Sequence, residues 1–482
     1  MHAAIRSWFV LTARRAVDSA RLYMLILTVC IESTACHRSA RPESHLDIST
    51  QGRVDSAATI PDSRASYRRA GLLVGSGDVP FVGSIAFIAG TMPDSTLVLI
   101  DLSLSDHALT FTREGEAYHA AYDVGLDFER GGSSIRRIAT HEQVRVGSFR
   151  ETTRDEESVI YQQIASLPPG DATVAVSIHD AGSTRTGVVR QAVSVPRFDD
   201  GTVTTPIPAF RARPRATRQK LPEIVVNPRA TAVYGRDSVA LFYVEGYGLP
   251  ATTANETIQV RVTGDGGVTV FDDTVSWTEA GDRLRSALIR VPIARVGFGE
   301  LRVSATASRS ANPALQRAST APLLVSFGDG LPVGSFDEMV GMLRFFTSSE
   351  RLRALRELAP QDRSKGWSAF LEATDLNASS QENEALRAYF ARVVDANVRF
   401  REDDRTPGWL TDRGMVFSSL GEPDNMIEPN GSESAERSIA QVWDYERYHV
   451  RFTFVDRAGF GHWRLTSSSE AEYHALVRRI AR

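Results

Sequence analysis

Three aspartates in the last quarter of the chain, Asp412, Asp424 and Asp456, are of the type that cleaves glycosidic bonds. In that chemistry one carboxyl protonates the leaving oxygen and a second serves as base or nucleophile. Each of the three adjoins a turn former, however: Asp412 leads into Arg413-Gly414, Asp424 follows Pro423, and Asp456 lies three residues before Gly459. In such places Asp is above all a turn and cap residue, because its short carboxylate bonds backbone amides close by. His449 and His462 flank the same stretch without a clustered third ligand, so no metal site is indicated. Trp443, Tyr445, Phe452, Phe454 and Trp463 would form a sugar-stacking platform if they were exposed. Aromatics alternating along one sheet face more often need covering by a helix, and Tyr473 and Leu476 near the C-terminus offer that cover. Gly75-Ser76-Gly77 lacks the flanks of a nucleophile elbow, and there is no phosphate loop, His-Glu-x-x-His or dinucleotide fingerprint. The expectation is no catalytic residue, no metal and no cofactor. The alternative is a hydrolase of envelope glycan or peptide that uses Asp412 and Asp424.

The elements that must hold these residues begin with the corner 406–424. Thr411 or Asp412 can cap a short helix, Gly421 can end it in left-handed geometry, and Pro423 forbids its continuation. A strand from Met415 to Leu420 is the alternative, favoured by Val416 and Phe417. Either way Trp409 belongs inside, since an indole brings a large apolar area to a small corner, and Gly408 lets the backbone turn there. Upstream, a helix starting near a Ser379–Glu382 capping box carries Leu386, Tyr389, Phe390, Val393, Asn397 and Phe400 on one face. The Asn397 amide needs partners, for which the carbonyls of the 408–412 loop are candidates. Arg392, Asn397, Asp412 and Arg413 are expected to form a polar network pinning that loop to the helix. Earlier helices follow a Ser335–Glu338 capping box and the Leu352, Leu355, Leu358 spacing that ends at Pro360. Downstream, 441–466 alternates as an aromatic β-hairpin, and a final helix follows Ser469.

Gly408-Trp409-Leu410-Thr411-Asp412 resembles the signature of the GWxTD-domain proteins, an exported and lipoprotein family of bacteria. The likeness extends to Tyr389–Phe400 upstream and to Arg413-Gly414, Gly421-Glu-Pro423-Asp424, Trp443-Asp-Tyr445, Phe452-Thr-Phe454 and Asp456 with Gly459 downstream. It covers 335–466 strongly and the segments before it weakly. The family has no established activity, substrate or cofactor, so the resemblance implies no catalytic residue. Residues 369–375 replace a more aromatic, arginine-containing approach to the helix, which puts a role for that arginine in doubt. The order Leu-Gly-x-Pro, Trp-x-Tyr and aromatic hairpin is also similar to small helix-plus-sheet modules of outer-membrane assembly lipoproteins, an analogy that bears only on the partner.

The rest of the chain reads as β structure behind an export signal. Arg14, Arg15 and Arg21 precede the apolar run 22–31, which is followed by small residues and Cys36. This order is that of a secretory signal too short to span a bilayer. Ser33-Thr34-Ala35 before Cys36 resembles a lipobox, implying that Cys36 carries lipid; Met24 is an alternative start to Met1. The chain has two cysteines, Cys30 and Cys36, so a body cleaved there has no pair to oxidise and no zinc–thiolate site. Residues 37–67 are polar and read as a flexible tether reaching about 30 Å. Val98, Ile100, Leu102 and Leu104 alternate in one β segment, as do Val174, Val176 and Ile178; Ile258, Val260 and Val262 do so in a second. At 482 residues, several domains are expected. The expected order is a signal peptide 1–36, tether 37–67, antiparallel β-sandwich of Ig-like type 68–198, linker 199–221, second sandwich 222–330 and mixed α/β domain 331–482. A net charge of −4, with a positive surplus in the leader, argues against nucleic acid as partner. The expected protein is a non-enzymatic envelope scaffold or binding component. It would be exported, held to the membrane by its N-terminal lipid on the periplasmic or outer-membrane side, and engaged by an envelope protein. The sequence leaves its oligomeric state open.

Overall fold

The computed structural model describes residues 63–92, 94–152, 158–234, 236–249, 257–281, 283–307, 320–326, 334–375, 383–403, 406–428 and 439–480. The signal segment, Cys36, most of the tether and the Ser379–Glu382 box lie outside them. The protein is mostly β, with several antiparallel sheets and a C-terminal helical region.

Four sheets make up the β part. The first contains Leu73–Val74, Phe81–Ala89, Thr96–Ser105 and Ser158–Leu167. The second is built on Ala117–Arg130, Gly170–Asp180 and Thr186–Val195, with Ser133–Val146 along the far side of Ala117–Arg130. Together they enclose one core, in which Val98, Ile100, Leu102 and Leu104 meet Val124, Leu126, Val174 and Val176. The third sheet is built on Ile207–Arg213, Val239–Tyr247 and Leu284–Pro292; the fourth on Thr257–Thr263, Gly299–Ala307 and Thr320–Ser326. These two share a second core through Phe242, Val244 and Ile289 on one side and Ile258, Val260 and Val303 on the other. Among the described residues pairing is antiparallel except where Thr231–Val233 runs parallel to Thr320–Ser326.

Two expectations are corrected here. The span 199–221 is not a linker, because Thr202–Val203 and Ile207–Arg213 are strands of the third sheet. Ile207 and Ala209 supply the alternation that makes Ile207–Arg213 a strand, and it packs Ile207, Ala209 and Ala212 against Ile88, Leu97 and Leu99 of the first sheet. The end of the segment read as a flexible tether is helical instead. Ser63–Arg69 is a helix (α1) with Tyr67 buried beside Val82 and Leu324, and Arg302 donates to the carbonyls of Arg69 and Ala70.

The first and third sheets therefore pack face to face, and Thr96–Ser105 is buried on both faces. The seam between them is polar. Glu245 and Arg215 pair at 2.7 Å with both side chains fully buried. Tyr243 donates to Glu245 at 2.6 Å, Tyr247 also donates to it, and Thr204 Oγ accepts from the Glu245 amide. Arg215 reaches the carbonyl of Ala89 at 3.2 Å, whose amide donates to Tyr247 at 2.8 Å. Gln162 bonds the backbone of Ile224 and Val226. Asp101 faces the same seam, fully buried, opposite Ser84, and neither side chain has a hydrogen-bond partner among the described residues.

The C-terminal module has more helices than the expected hairpin. After two four-residue helices, Phe149–Thr152 (α2) and Ile293–Val296 (α3), come Phe336–Gly341 (α4), Ser349–Arg356 (α5), Arg363–Thr374 (α6), Glu384–Arg399 (α7), Asp412–Leu420 (α8) and Ser467–Ile480 (α9). The Ser335–Glu338 capping box is present in both directions. α6 was not foreseen; its Trp367, Phe370 and Thr374 carry the helical spacing and are buried. The aromatic hairpin is the middle of a four-stranded sheet, Asn425–Ile427, Ile439–Tyr445, Val450–Asp456 and Arg464–Leu465. No boundary in the core separates this module from the third and fourth sheets: Phe298 stacks on Phe336 at 4.8 Å and meets Trp367 edge-on at 4.7 Å.

Candidate functional site

The corner 406–424 is held by backbone proximity as much as by side chains. Residues 408–410 form one 3-10 turn against the C-terminal end of α7. A Cβ on Gly408 would lie 2.5 Å from the Ala396 carbonyl oxygen, and one on Gly414 would lie 1.9 Å from the Gly408 carbonyl oxygen. Gly408 is thus required for close approach and not for the turn conformation expected of it. Thr411 is the cap of α8, donating to the Gly408 carbonyl at 2.8 Å and accepting from the Gly414 amide at 3.1 Å. The helix reading of 412–420 holds and the strand alternative does not. Gly421 ends α8 at φ 90°, ψ −161°, a positive φ outside the left-handed helical region.

Trp409 is fully buried, edge-on to Phe345 at 5.6 Å, and its indole N–H has no acceptor among the described residues. Phe400 joins the corner to the sheet, 5.3 Å from Phe417 and 5.5 Å from Trp443. Trp443, Tyr445, Phe452 and Phe454 are all buried, with Tyr473 of α9 covering Phe452, so they line the core and offer no stacking platform. An aromatic side chain removes about 150–250 Å² from water. At ~25 cal/mol per Å² that is about 4–6 kcal/mol each before ordering costs.

The four polar residues expected to form one network make separate attachments. Asn397 accepts from the Gly408 amide at 3.0 Å, so its partner is an N–H and not a carbonyl. Arg392 donates to the Ser418 carbonyl at 3.0 Å, at the other end of α8. Asp412 accepts from the Leu465 amide at 2.7 Å. Arg413 lies over Phe400 and Trp463, where burial lowers its pKa. The loop touches helix, sheet and aromatic cluster at different points: Asn397, Arg392 and Asp412 each bond a backbone group close by, whereas the buried Arg413 Nε has no hydrogen-bond partner among the described residues.

Asp424 accepts from the Glu446 amide at 2.7 Å, and Asp456 accepts from the amides of Ala458, Gly459 and Gly461. Burial raises the Asp456 pKa, but those amides outweigh it and hold the carboxyl below its usual range. None of Asp412, Asp424 and Asp456 lines the cavity described below. His449 is exposed in the left-handed region, His462 lies 3.6 Å from Glu402, and among the described residues no group of three His, Cys, Asp or Glu could hold a metal.

Two anchors were not visible in the sequence. Glu402, its side chain 2% exposed, accepts from the Trp463 amide at 3.0 Å and from Arg464 at 2.8 Å. Arg399 grips Glu422 with two bonds of 2.7 and 2.8 Å and covers the Phe417 ring. No spacing signals such long-range pairs.

A cavity of about 240 Å³ opens where α7, α8, α9 and the turn Glu446–Tyr448 meet. Phe346, Leu420, Val477 and Ile480 give it apolar walls; Arg392 and Arg447 give it charge.

The sequence model of the GWxTD domain matches residues 319–478. The chain carries a GWxTD domain. The match begins at the last strand of the fourth sheet, before the expected boundary at 331, consistent with the shared core of sheet and GWxTD domain. A search of the curated proteins finds none that matches the chain.

Proposed function

We propose that this GWxTD-domain protein is a non-catalytic component of the cell envelope, exported and lipid-anchored through Cys36, that acts as a scaffold or protein-binding adaptor. The observation that carries the reading is the use made of the signature's polar groups. Asp412, Asp424 and Asp456 all bond backbone amides of their own domain, and Trp409 is sealed inside. A general acid or nucleophile needs its carboxyl within reach of substrate. The β part, read as two Ig-like modules, presents Ser133–Val146 with a strand neighbour on one side only among the described residues. An open edge of this kind suits pairing with a partner strand.

Three measurements test the reading. An alkyne-palmitate label is expected on the wild-type chain and not on Cys36→Ala. Affinity capture from detergent-solubilised envelope is expected to recover a stoichiometric protein partner. Incubation with peptidoglycan and a mixed peptide substrate is expected to release no more product than a D412N/D424N variant does. Turnover lost in that variant while its melting temperature stays unchanged would replace the adaptor with a hydrolase.

A further inference from the structure

Ser133–Val146 lies along Ala117–Arg130 for its full 14 residues, and among the described residues no strand pairs with its other side. Native edges are ordinarily short or blocked by proline, because open amides and carbonyls template another strand. This edge has no proline, and its register is regular from Arg136 to Val146. Two side chains on its outer face are answered within the sheet: Arg137 pairs with Asp127, and His141 lies 2.8 Å from Asp123. The opposite face carries Ile138 and Val144, which pack against the sandwich core, together with Arg136 and Glu142. Neither Arg136 nor Glu142 has a hydrogen bond or an ion pair among the described residues. They stand three positions to either side of Ala139.

We propose that this strand pairs antiparallel with the same strand of a second copy, the two-fold axis passing at Ala139. Such an axis, normal to the sheet, keeps core-side residues opposite core-side residues, so only registers centred on a residue are allowed. Centred on Ala139, Arg136 faces Glu142 of the second copy twice, and Ile138 faces Thr140. With the axis at Thr140, Glu142 would face Ile138 and Arg136 would face Val144, leaving all these charges unanswered. An axis at Ile138 would set them against Ser134 and Thr140, and one at His141 would set Arg137 against Arg145. Opposite charges directly across a strand pair attract and like charges repel, so charge complementarity selects Ala139. The pairing joins two six-stranded sheets into one and removes the open edge. It goes beyond the adaptor reading and does not rest on it.

The test is sedimentation equilibrium of the full chain in density-matched detergent. A monomer–dimer equilibrium with Kd on the order of 10 μM is expected for an interface of one strand pair. Arg136→Glu and Glu142→Arg each set like charges opposite one another at both symmetric pairs. Each is expected to weaken the dimer about a hundredfold, roughly tenfold per pair. Mixed in equal amounts, the two variants carry complementary charges, and a heterodimer of wild-type affinity is expected. Oxidation reads the register, with wild type as the blank. Ala139→Cys, at the axis, is expected to form an intermolecular disulfide, whereas two copies of Gln143→Cys would lie about 26 Å apart and are expected to stay reduced. A wild type that is monomeric at about 100 μM, a mixture that stays monomeric, or equal disulfide yields from the two cysteine variants would overturn the proposal. If the dimer fails while envelope capture still recovers a partner, the adaptor reading stands without it. A dimer with no captured partner overturns the adaptor alone.

Discussion

The protein has two internal joints of opposite character. Between the first and third sheets lies a polar seam, where Glu245 is wrapped by Arg215, Tyr243 and Tyr247. Between the fourth sheet and the GWxTD domain lies an aromatic joint, Phe298 with Phe336 and Trp367, edged by Arg363 over Phe336 and Tyr234 bonded to Ser368 at 2.8 Å. The aromatic joint draws its stability from area removed from water, which is non-directional and tolerant of detail. The seam draws little net stability from its ion pair, because taking both charges out of water costs about as much as their attraction returns. What it does demand is that every partner be present and in register.

The largest losses come when one group is deleted, and they are alike at the two joints. Glu245→Ala leaves Arg215 buried without its acid, and a loss of about 3–5 kcal/mol in urea unfolding is expected. Phe336→Ala should cost a similar 3–5 kcal/mol through the cavity it leaves. Conservative changes then separate the joints. Phe336→Leu is expected to cost about 1 kcal/mol, whereas Glu245→Gln, equal in shape but uncharged, should cost about 1–3 kcal/mol more than that. Equal losses in the two variants would break the distinction.

A smaller effect tests how the corner is attached. Asn397→Ala removes the acceptor for the Gly408 amide and should lower stability by about 1 kcal/mol. Arg392→Ala should add its own loss independently in the double variant, since the two side chains hold different ends of the corner. Strong non-additivity would restore the single network that the sequence suggested.

The last effect is one of pH. Burial without a partner raises the Asp101 carboxyl well above its usual range. The folded chain therefore holds this proton more tightly than the unfolded one, and the contribution is fully present below the ordinary carboxyl pKa and lost as pH rises toward the folded value. Asp101→Asn is expected to leave stability at acid pH nearly unchanged and to raise the melting temperature at neutral pH. A variant whose melting curve follows the wild type at every pH would show that Asp101 has found a partner in the seam.

Much of this was legible from residue order alone. Alternation in Thr96–Ser105 and Thr257–Thr263 announced strands, the Ser335–Glu338 box announced a helix start, and Thr411 with Gly421 bracketed α8, because each signal acts within a few residues. The burial of Trp409 followed from its size. Residues 199–221 were misread because proline and arginine look like linker composition, yet Arg215 pairs with Glu245 inside the seam and reaches the Ala89 carbonyl across it. The GWxTD signature and the antiparallel β character were set by the sequence through local periodicity and side-chain volume. Which faces of the strands meet, which amide each aspartate serves, and whether Arg447 borders a cavity were decided only by the folded chain. Those facts depend on groups tens to hundreds of residues apart, and loop closure over such distances leaves no periodic trace in the order of amino acids.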